Sequence, residues 1–137
     1  MSVRAIDWPV EGGPLLVVDD DAFVGQLLEA SLAKLGYAVS LVSSGSAALA
    51  GLLAGAVPSC IVTDLHMPGL TGFELLRAIR ASDALRDIPV IVLSGFDDKA
   101  DIEAAFKLGA TSFVSKPVDP VLLDHHIRMV LRAVRAV

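Results

Sequence analysis

The sequence predicts a doubly wound α/β domain, (βα)5, in which five parallel strands alternate with five helices. Three observations carry this. Short apolar runs at residues 15–18, 60–63, 88–93 and 112–115 are bounded by polar residues, Gly or Pro, as in strands buried on both faces. Between the runs lie segments with helical apolar spacing and capping residues at their starts. Strands alternating with helices and joined by right-handed crossovers leave a doubly wound parallel sheet as the natural solution.

The breaker cluster Glu11-Gly12-Gly13-Pro14 separates a leader, residues 1–13, from a domain over residues 14–137. Trp8, in the leader, reads as tail or edge packing. Strand one covers about residues 15–19. Helix one spans residues 22–34: Asp20 or Asp21 can cap it, Phe23, Leu27 and Leu28 share its buried side, and Gly36 stops it. Tyr37 opens strand two, which alternates weakly to Val42. Ser44 or Ser46 starts an Ala/Leu-rich helix that ends near Ala54. Pro58 precedes strand three, and Asp64 to Gly72 is a loop by composition. A helix over residues 73–81 turns Phe73, Leu76 and Ile79 inward. Residues 88–93 form strand four. Asp97 or Asp98 caps a helix running to Leu108, and Gly109 ends it. Strand five lies at residues 113–115. Asp119 caps the last helix with Pro120 in its first turn. That helix reaches Val134, with Leu123, Ile127, Val130 and Val134 as its apolar stripe.

The chain has 137 residues, enough for one domain with a real core. It is 54% hydrophobic with a mean hydropathy of +0.66, yet no apolar stretch nears the ~18 residues needed to cross a bilayer. No segment resembles a signal peptide. The single Cys60 forms no internal disulfide, reads as a small core residue, and fits a reducing, cytoplasmic setting. A net charge of −5 argues against nucleic-acid binding by this domain. Arg128, Arg132 and Arg135 near the end of the last helix suit the helix dipole and need no ligand.

Chemistry concentrates at one edge. Asp19 and Asp20 follow the first strand, Asp64 ends the third and Lys116 ends the fifth. Functional groups of doubly wound sheets sit beyond the carboxyl ends of the strands. Carboxylates and an ammonium grouped there can hold a divalent metal and a phosphoryl group. Taken singly, Asp19, Asp20 or Asp64 reads equally well as a cap or turn residue, Lys116 as a solvated strand-end lysine and Ser94-Gly95 as a turn. His125 and His126 have no partners at ligand spacing and read as surface or half-buried residues, and Met67 as packing.

The order of the motifs is more specific. Val17-Val18-Asp19-Asp20, then Asp64 with Met67-Pro68 and Gly72, then Leu93-Ser94-Gly95, then Lys116-Pro117, each at a strand end, resembles the receiver domains of two-component response regulators. The resemblance covers about residues 14–135. It implies a flavodoxin-like strand order, 2-1-3-4-5, and Asp64 as a phospho-acceptor. It also implies Mg²⁺ held by Asp19, Asp20, Asp64 and the backbone carbonyl of His66. Lys116 and Ser94 would contact phosphoryl oxygens, the Lys116–Pro117 bond would be cis, and Ser94 with Phe113 would form a switch. The implied partners are a sensor histidine kinase or a histidine phosphotransfer protein, and a downstream protein meeting the last two helices and strand five. The activity implied is self-phosphorylation and slow self-dephosphorylation, without turnover of an external substrate. Two forms fit the chain: a stand-alone receiver, or part of a longer regulator or hybrid kinase.

Some positions depart from the family pattern. Thr71 stands where Asp is common, Ser94 where Thr is frequent, and Phe113 lacks the hydroxyl of a switching Tyr. His66 and Phe96 are expected to crowd the water that hydrolyses an acyl phosphate. Three carboxylates in one pocket are expected to repel, with Lys116 offsetting part of the charge. Two other classes compete with this reading. Aspartyl-phosphate phosphatases of another α/β fold usually carry Asp-x-Asp, against Asp64-Leu65-His66 here. A degenerate receiver acting as a phosphorylation-independent interaction module is opposed by the complete set Asp19, Asp20, Asp64, Ser94 and Lys116.

Overall fold

The computed structural model describes residues 14–95 and 99–136. The leader with Trp8, the Asp97 or Asp98 cap, and Phe96 lie outside the described residues. The elements are β1 Pro14–Val18, α1 Ala22–Lys34, β2 Ala38–Val42, α2 Gly45–Leu53, β3 Cys60–Asp64, α3 Gly72–Ala81, β4 Val90–Gly95, α4 Lys99–Lys107, β5 Ser112–Lys116 and α5 Pro120–Ala136. The sheet order is β2-β1-β3-β4-β5, every pairing parallel, as the resemblance implied.

Alternation along each strand fills two cores. Leu16, Val18, Ile61, Val90 and Val92 face one side and meet Leu52, Leu76, Ile79 and Ala105 of α2, α3 and α4. Leu15, Val17, Val62, Ile91 and Leu93 face the other and meet Leu28, Leu32, Leu123 and Ile127 of α1 and α5. Every residue of β3 is buried, so the central strand reads as a continuous apolar run ending in Asp64.

Caps decide the helix starts. Asp21, rather than Asp20, caps α1: its carboxylate accepts the N–H groups of Phe23 and Val24 at 3.0 and 3.2 Å. Ser44 accepts from Ala47 N–H, and Asp119 from Val121 N–H. Thr71 and Glu74 form a reciprocal capping box at α3.

Three burial expectations need correction. Phe23 and Leu27 face outward, 76% and 51% exposed, although Leu28 is buried. The buried side of α1 is Gly25, Leu28 and Leu32. A Cβ at Gly25 would lie 2.9 Å from a Leu41 methyl, so close approach there favours this rotation of a helix whose apolar residues lie on more than one side. On α5, Val134 is exposed and Leu131 is buried in its place. The fourth strand starts at Val90, with Ile88 buried just before it.

Two devices secure the sheet ends. Arg80 of α3 donates to the carbonyls of Gly109, Arg86 and Ile88 at 2.9, 2.9 and 2.6 Å, tying the entries of β4 and β5 together. At the other edge the loop after β3 folds back on itself, with Gly72 N–H donating to Leu65 O at 2.9 Å. A Cβ on Gly72 would fall 2.1 Å from Asp64 O and 2.7 Å from Leu65 Cα. Only glycine permits this approach, and it sits directly against the residue that ends β3.

Candidate functional site

Asp19 leaves the end of β1 with its N–H bonded to Val42 O and is 1% exposed. One carboxylate oxygen, Oδ1, accepts Asp21 N–H at 2.9 Å. The other, Oδ2, has no hydrogen-bond partner and lies 4.0 Å from Lys116 Nζ. Asp64, 6% exposed, accepts from Lys116 Nζ at 2.6 Å through Oδ2, and its Oδ1 lies 3.4 Å from His66 N. Lys116 ends β5, so its side chain reaches past β4 to the acid on β3. The Lys116–Pro117 bond is cis.

Asp19, Asp20 and Asp64 each offer a carboxylate oxygen within 4.8 Å of the others. Hard oxygens so grouped suit Mg²⁺, which favours a few carboxylates plus retained waters. The orphaned Asp19 Oδ2 is an acceptor that a cation would satisfy. The donor set therefore fits the metal that the resemblance implies.

Electrostatics follow the burial. Burial raises the Asp19 carboxyl above its ordinary value of 3.8, and the charges of Asp64 and Asp20 add to this. The Asp21 N–H and Lys116 oppose it without cancelling it. Burial by itself lowers the Lys116 ammonium, but the hydrogen bond and charge of Asp64, with Asp19 and Asp20, raise it above 10.5. Asp20 is exposed to solvent, which screens its charge from Asp19.

Asp19→Asn should therefore raise the melting midpoint in metal-free buffer, by about 1 kcal/mol of stability. The sign follows from linkage. A raised folded-state pKa means that the native protein holds this proton more tightly than the unfolded chain, so stability falls as pH rises from 3.8 through the folded value. The variant should lose that part of the slope. Thermal melts from pH 4 upward check it, and a variant that melts lower than wild type at neutral pH would contradict it.

The remaining predicted residues are placed as follows. Ser94 is buried one position beyond Leu93, the partner of Asp64 in the sheet, and its hydroxyl donates to Gly95 O at 3.1 Å. Phe113 is half-buried on β5, its ring edge-on to Phe106 of α4 at 6.3 Å. Met67 packs in the core. His126 Nδ1 lies 2.7 Å from Ser112 Oγ, and His125 is exposed. One contact was not foreseen: His66 Nε2 meets the Asp101 carboxylate on α4. The two are 35 residues apart, and no periodicity or motif links them.

Comparison with known proteins identifies the family. Residues 15–128 match the model of the response regulator receiver domain. The transcriptional regulatory protein AfsQ1 of Streptomyces coelicolor is 40% identical over 118 residues, covering 86% of this chain and 51% of that protein. The chain thus spans about half the length of AfsQ1, and 26% of the response regulator PleD of Caulobacter vibrioides. Chemotaxis protein CheY1 of Helicobacter pylori is 32% identical over 85% of this chain and 95% of its own. Among solved structures, the signal receiver domain of a signal transduction histidine kinase from Syntrophus aciditrophicus superposes with a TM-score of 0.82 at 31% identity. It covers 91% of this chain and 94% of that one. Sheet order, the acidic pocket and the match over residues 15–128 converge: the chain belongs to the response regulator receiver domain family.

Proposed function

We propose that this chain is a phosphorylatable switch that accepts a phosphoryl group on Asp64 and changes its protein contacts in response. The observation that carries the reading is the 2.6 Å pairing of Lys116 Nζ with Asp64 Oδ2 beside two further carboxylates. A lone strand-end Asp would need neither.

The donor is a phosphohistidine of a sensor histidine kinase or phosphotransfer protein. An Asp64 carboxylate oxygen attacks phosphorus, and the bond from phosphorus to the donor nitrogen breaks. Asp19, Asp20, Asp64 and the His66 carbonyl would hold Mg²⁺, which offsets charge on the transferring group. Lys116 holds a positive charge at the acceptor and is poised to follow a phosphoryl oxygen. Ser94 can exchange its bond to Gly95 O for one to another phosphoryl oxygen. Phe113 then follows the space Ser94 leaves, and its contact with Phe106 carries the change to α4. Exposed Phe106, Val121, Leu122 and Met129 on the last two helices offer apolar surface to a downstream protein. Phe23 and Leu27, beside Lys116, Pro117 and Val118, line a groove of about 470 Å³ that suits a donor protein. No helix among the described residues is long and apolar enough to cross a membrane.

The test is intact-mass measurement after incubation with acetyl phosphate. One added phosphoryl group should appear with Mg²⁺ and vanish with a chelator, and peptide mapping should place it on Asp64. No uptake would favour the phosphorylation-independent module instead. Uptake indifferent to chelation would remove the metal from the scheme.

A further inference from the structure

We propose that the cavity beneath α2 is the docking site of this chain's own leader, with the Trp8 indole as the group that fills it. The cavity holds about 350 Å³ and lies between α2 and the face of β1 and β2. Leu16, Val42, Ala48, Gly51 and Leu52 are among its walls. Ser40 is the one lining residue whose side chain can form a hydrogen bond, and no charged residue lines it. A phosphate, a cation or a charged peptide finds nothing there to pair with. An apolar group that carries a single donor fits.

The gap has a cause in the sequence. Leu16 pairs with Ser40 in the sheet, so both face α2. The helix meets them with the small residues Ala48 and Gly51, and a Cβ on Gly51 would find nothing within 4 Å. On β2, Ala38 and Ser40 stay exposed, while the neighbouring β1 is buried from Leu15 onward. Sheets of this class are covered on both faces, and here one margin of one face is not. An apolar cavity of about 150 Å³ already takes up benzene, so the space beneath α2 accepts the two fused rings of an indole.

The leader is the occupant that the chain itself delivers. Pro14 is the first residue of β1, its carbonyl accepts Ser59 N–H at 2.7 Å, and it forms part of the cavity wall. The residues before it therefore start at the rim. The nearest apolar group among them is Trp8-Pro9-Val10, followed by Glu11-Gly12-Gly13. The stretch from Trp8 to Pro14 reaches roughly 20 Å when extended, and Gly12-Gly13 can take the turn that brings it back over the rim. Docking would remove a large apolar ring from water and let its N–H donate to the Ser40 hydroxyl. A tethered group also acts at an effective concentration on the order of millimolar, which a free ligand or a second copy does not match at ordinary protein concentrations.

Trp8 is the single tryptophan of the chain, so its fluorescence reads this contact alone. In the full chain the emission maximum should lie to the blue of that in denaturant, and acrylamide should quench it weakly. Gly51→Leu builds a side chain into the cavity and should move the maximum to the red and strengthen quenching severalfold. Ala47→Leu enters the same space and serves as an independent check. Trp8→Ala should lower the melting midpoint by about 4 °C, and should change nothing in the Gly51→Leu background. It removes the occupant and leaves the walls intact, so its midpoint decides the matter even where a cavity variant fails to fold. Wild-type emission at the denatured wavelength, or an unchanged midpoint for Trp8→Ala, overturns the proposal. Blue emission that survives in both folded cavity variants overturns it too, because the indole is then buried elsewhere. Blue emission that fades on dilution assigns the cavity to the leader of a second copy and likewise overturns it.

Discussion

Asp64→Asn should take up no phosphoryl group under conditions that label the wild-type chain to completion, a loss of more than about a thousandfold in rate. The substitution keeps size and shape, so it removes the chemistry and little else. A carboxamide oxygen is a poor nucleophile and carries no charge to attract Mg²⁺ or to hold Lys116 Nζ, now 2.6 Å away. The fold should tolerate the change. Asp64 loses an attraction to Lys116, but Asp19 loses a repelling neighbour that helps raise its own pKa. Intact mass reads the uptake, and a thermal melt confirms that the variant is folded. Label reappearing on Asp19 or Asp20 at the wild-type rate would show that the pocket does not single out Asp64.

Gly72→Ala should cost roughly 3 kcal/mol or more, because its added carbon meets backbone rather than a side chain that can turn away. The atoms it would strike are the carbonyl oxygen of Asp64 and the Cα of Leu65. Relief requires α3 or the end of β3 to move. The first loosens the contacts of Leu75, Leu76 and Ile79, and the second displaces the Asp64 carboxylate. The variant should therefore melt lower and also take up phosphoryl more slowly at temperatures where it is still folded. Gly36→Ala is the contrasting control: its φ is +100°, but nothing lies within 4 Å of an added Cβ, so it should cost stability without touching uptake. A Gly72→Ala protein with wild-type melting and labelling would mean that the loop after β3 is softer than its packing implies.

Much of this was legible in the sequence because parallel strands buried on both faces leave a plain mark. β1, β3, β4 and β5 are apolar runs that stop at Asp19, Asp64, Ser94-Gly95 and Lys116, so the strands and the site residues announce each other. β2 was harder, since it is only partly buried and alternates weakly. Strand order was legible only through resemblance, for nothing in β1 says that β2 and β3 flank it. The rotation of α1 is not legible because Phe23, Val24, Leu27 and Leu28 offer apolar surface on more than one side, and close approach of Gly25 to Leu41 favours the one observed. Asp19 and Asp20 look alike in sequence, yet one is buried with an orphan oxygen and the other is exposed. The contact of His66 with Asp101 depends on where α4 docks, and no local pattern encodes that.

The hydrogen bond from Lys116 to Asp64 joins residues 52 positions apart, and β4 lies between their strands. Closing so long a segment costs entropy that local structure cannot repay, so this bond must form late, after β3, β4 and β5 have aligned. During synthesis the pocket is complete only once residue 116 has emerged from the ribosome. Until then the chain holds three carboxylates with no ammonium to answer them. Backbone amides of β3 should accordingly exchange with solvent only through global opening, and the pocket should dissolve in that same event. On the proposed function, competence for phosphoryl uptake would report on the whole sheet, and a chain arrested before its last strand would deliver no false signal.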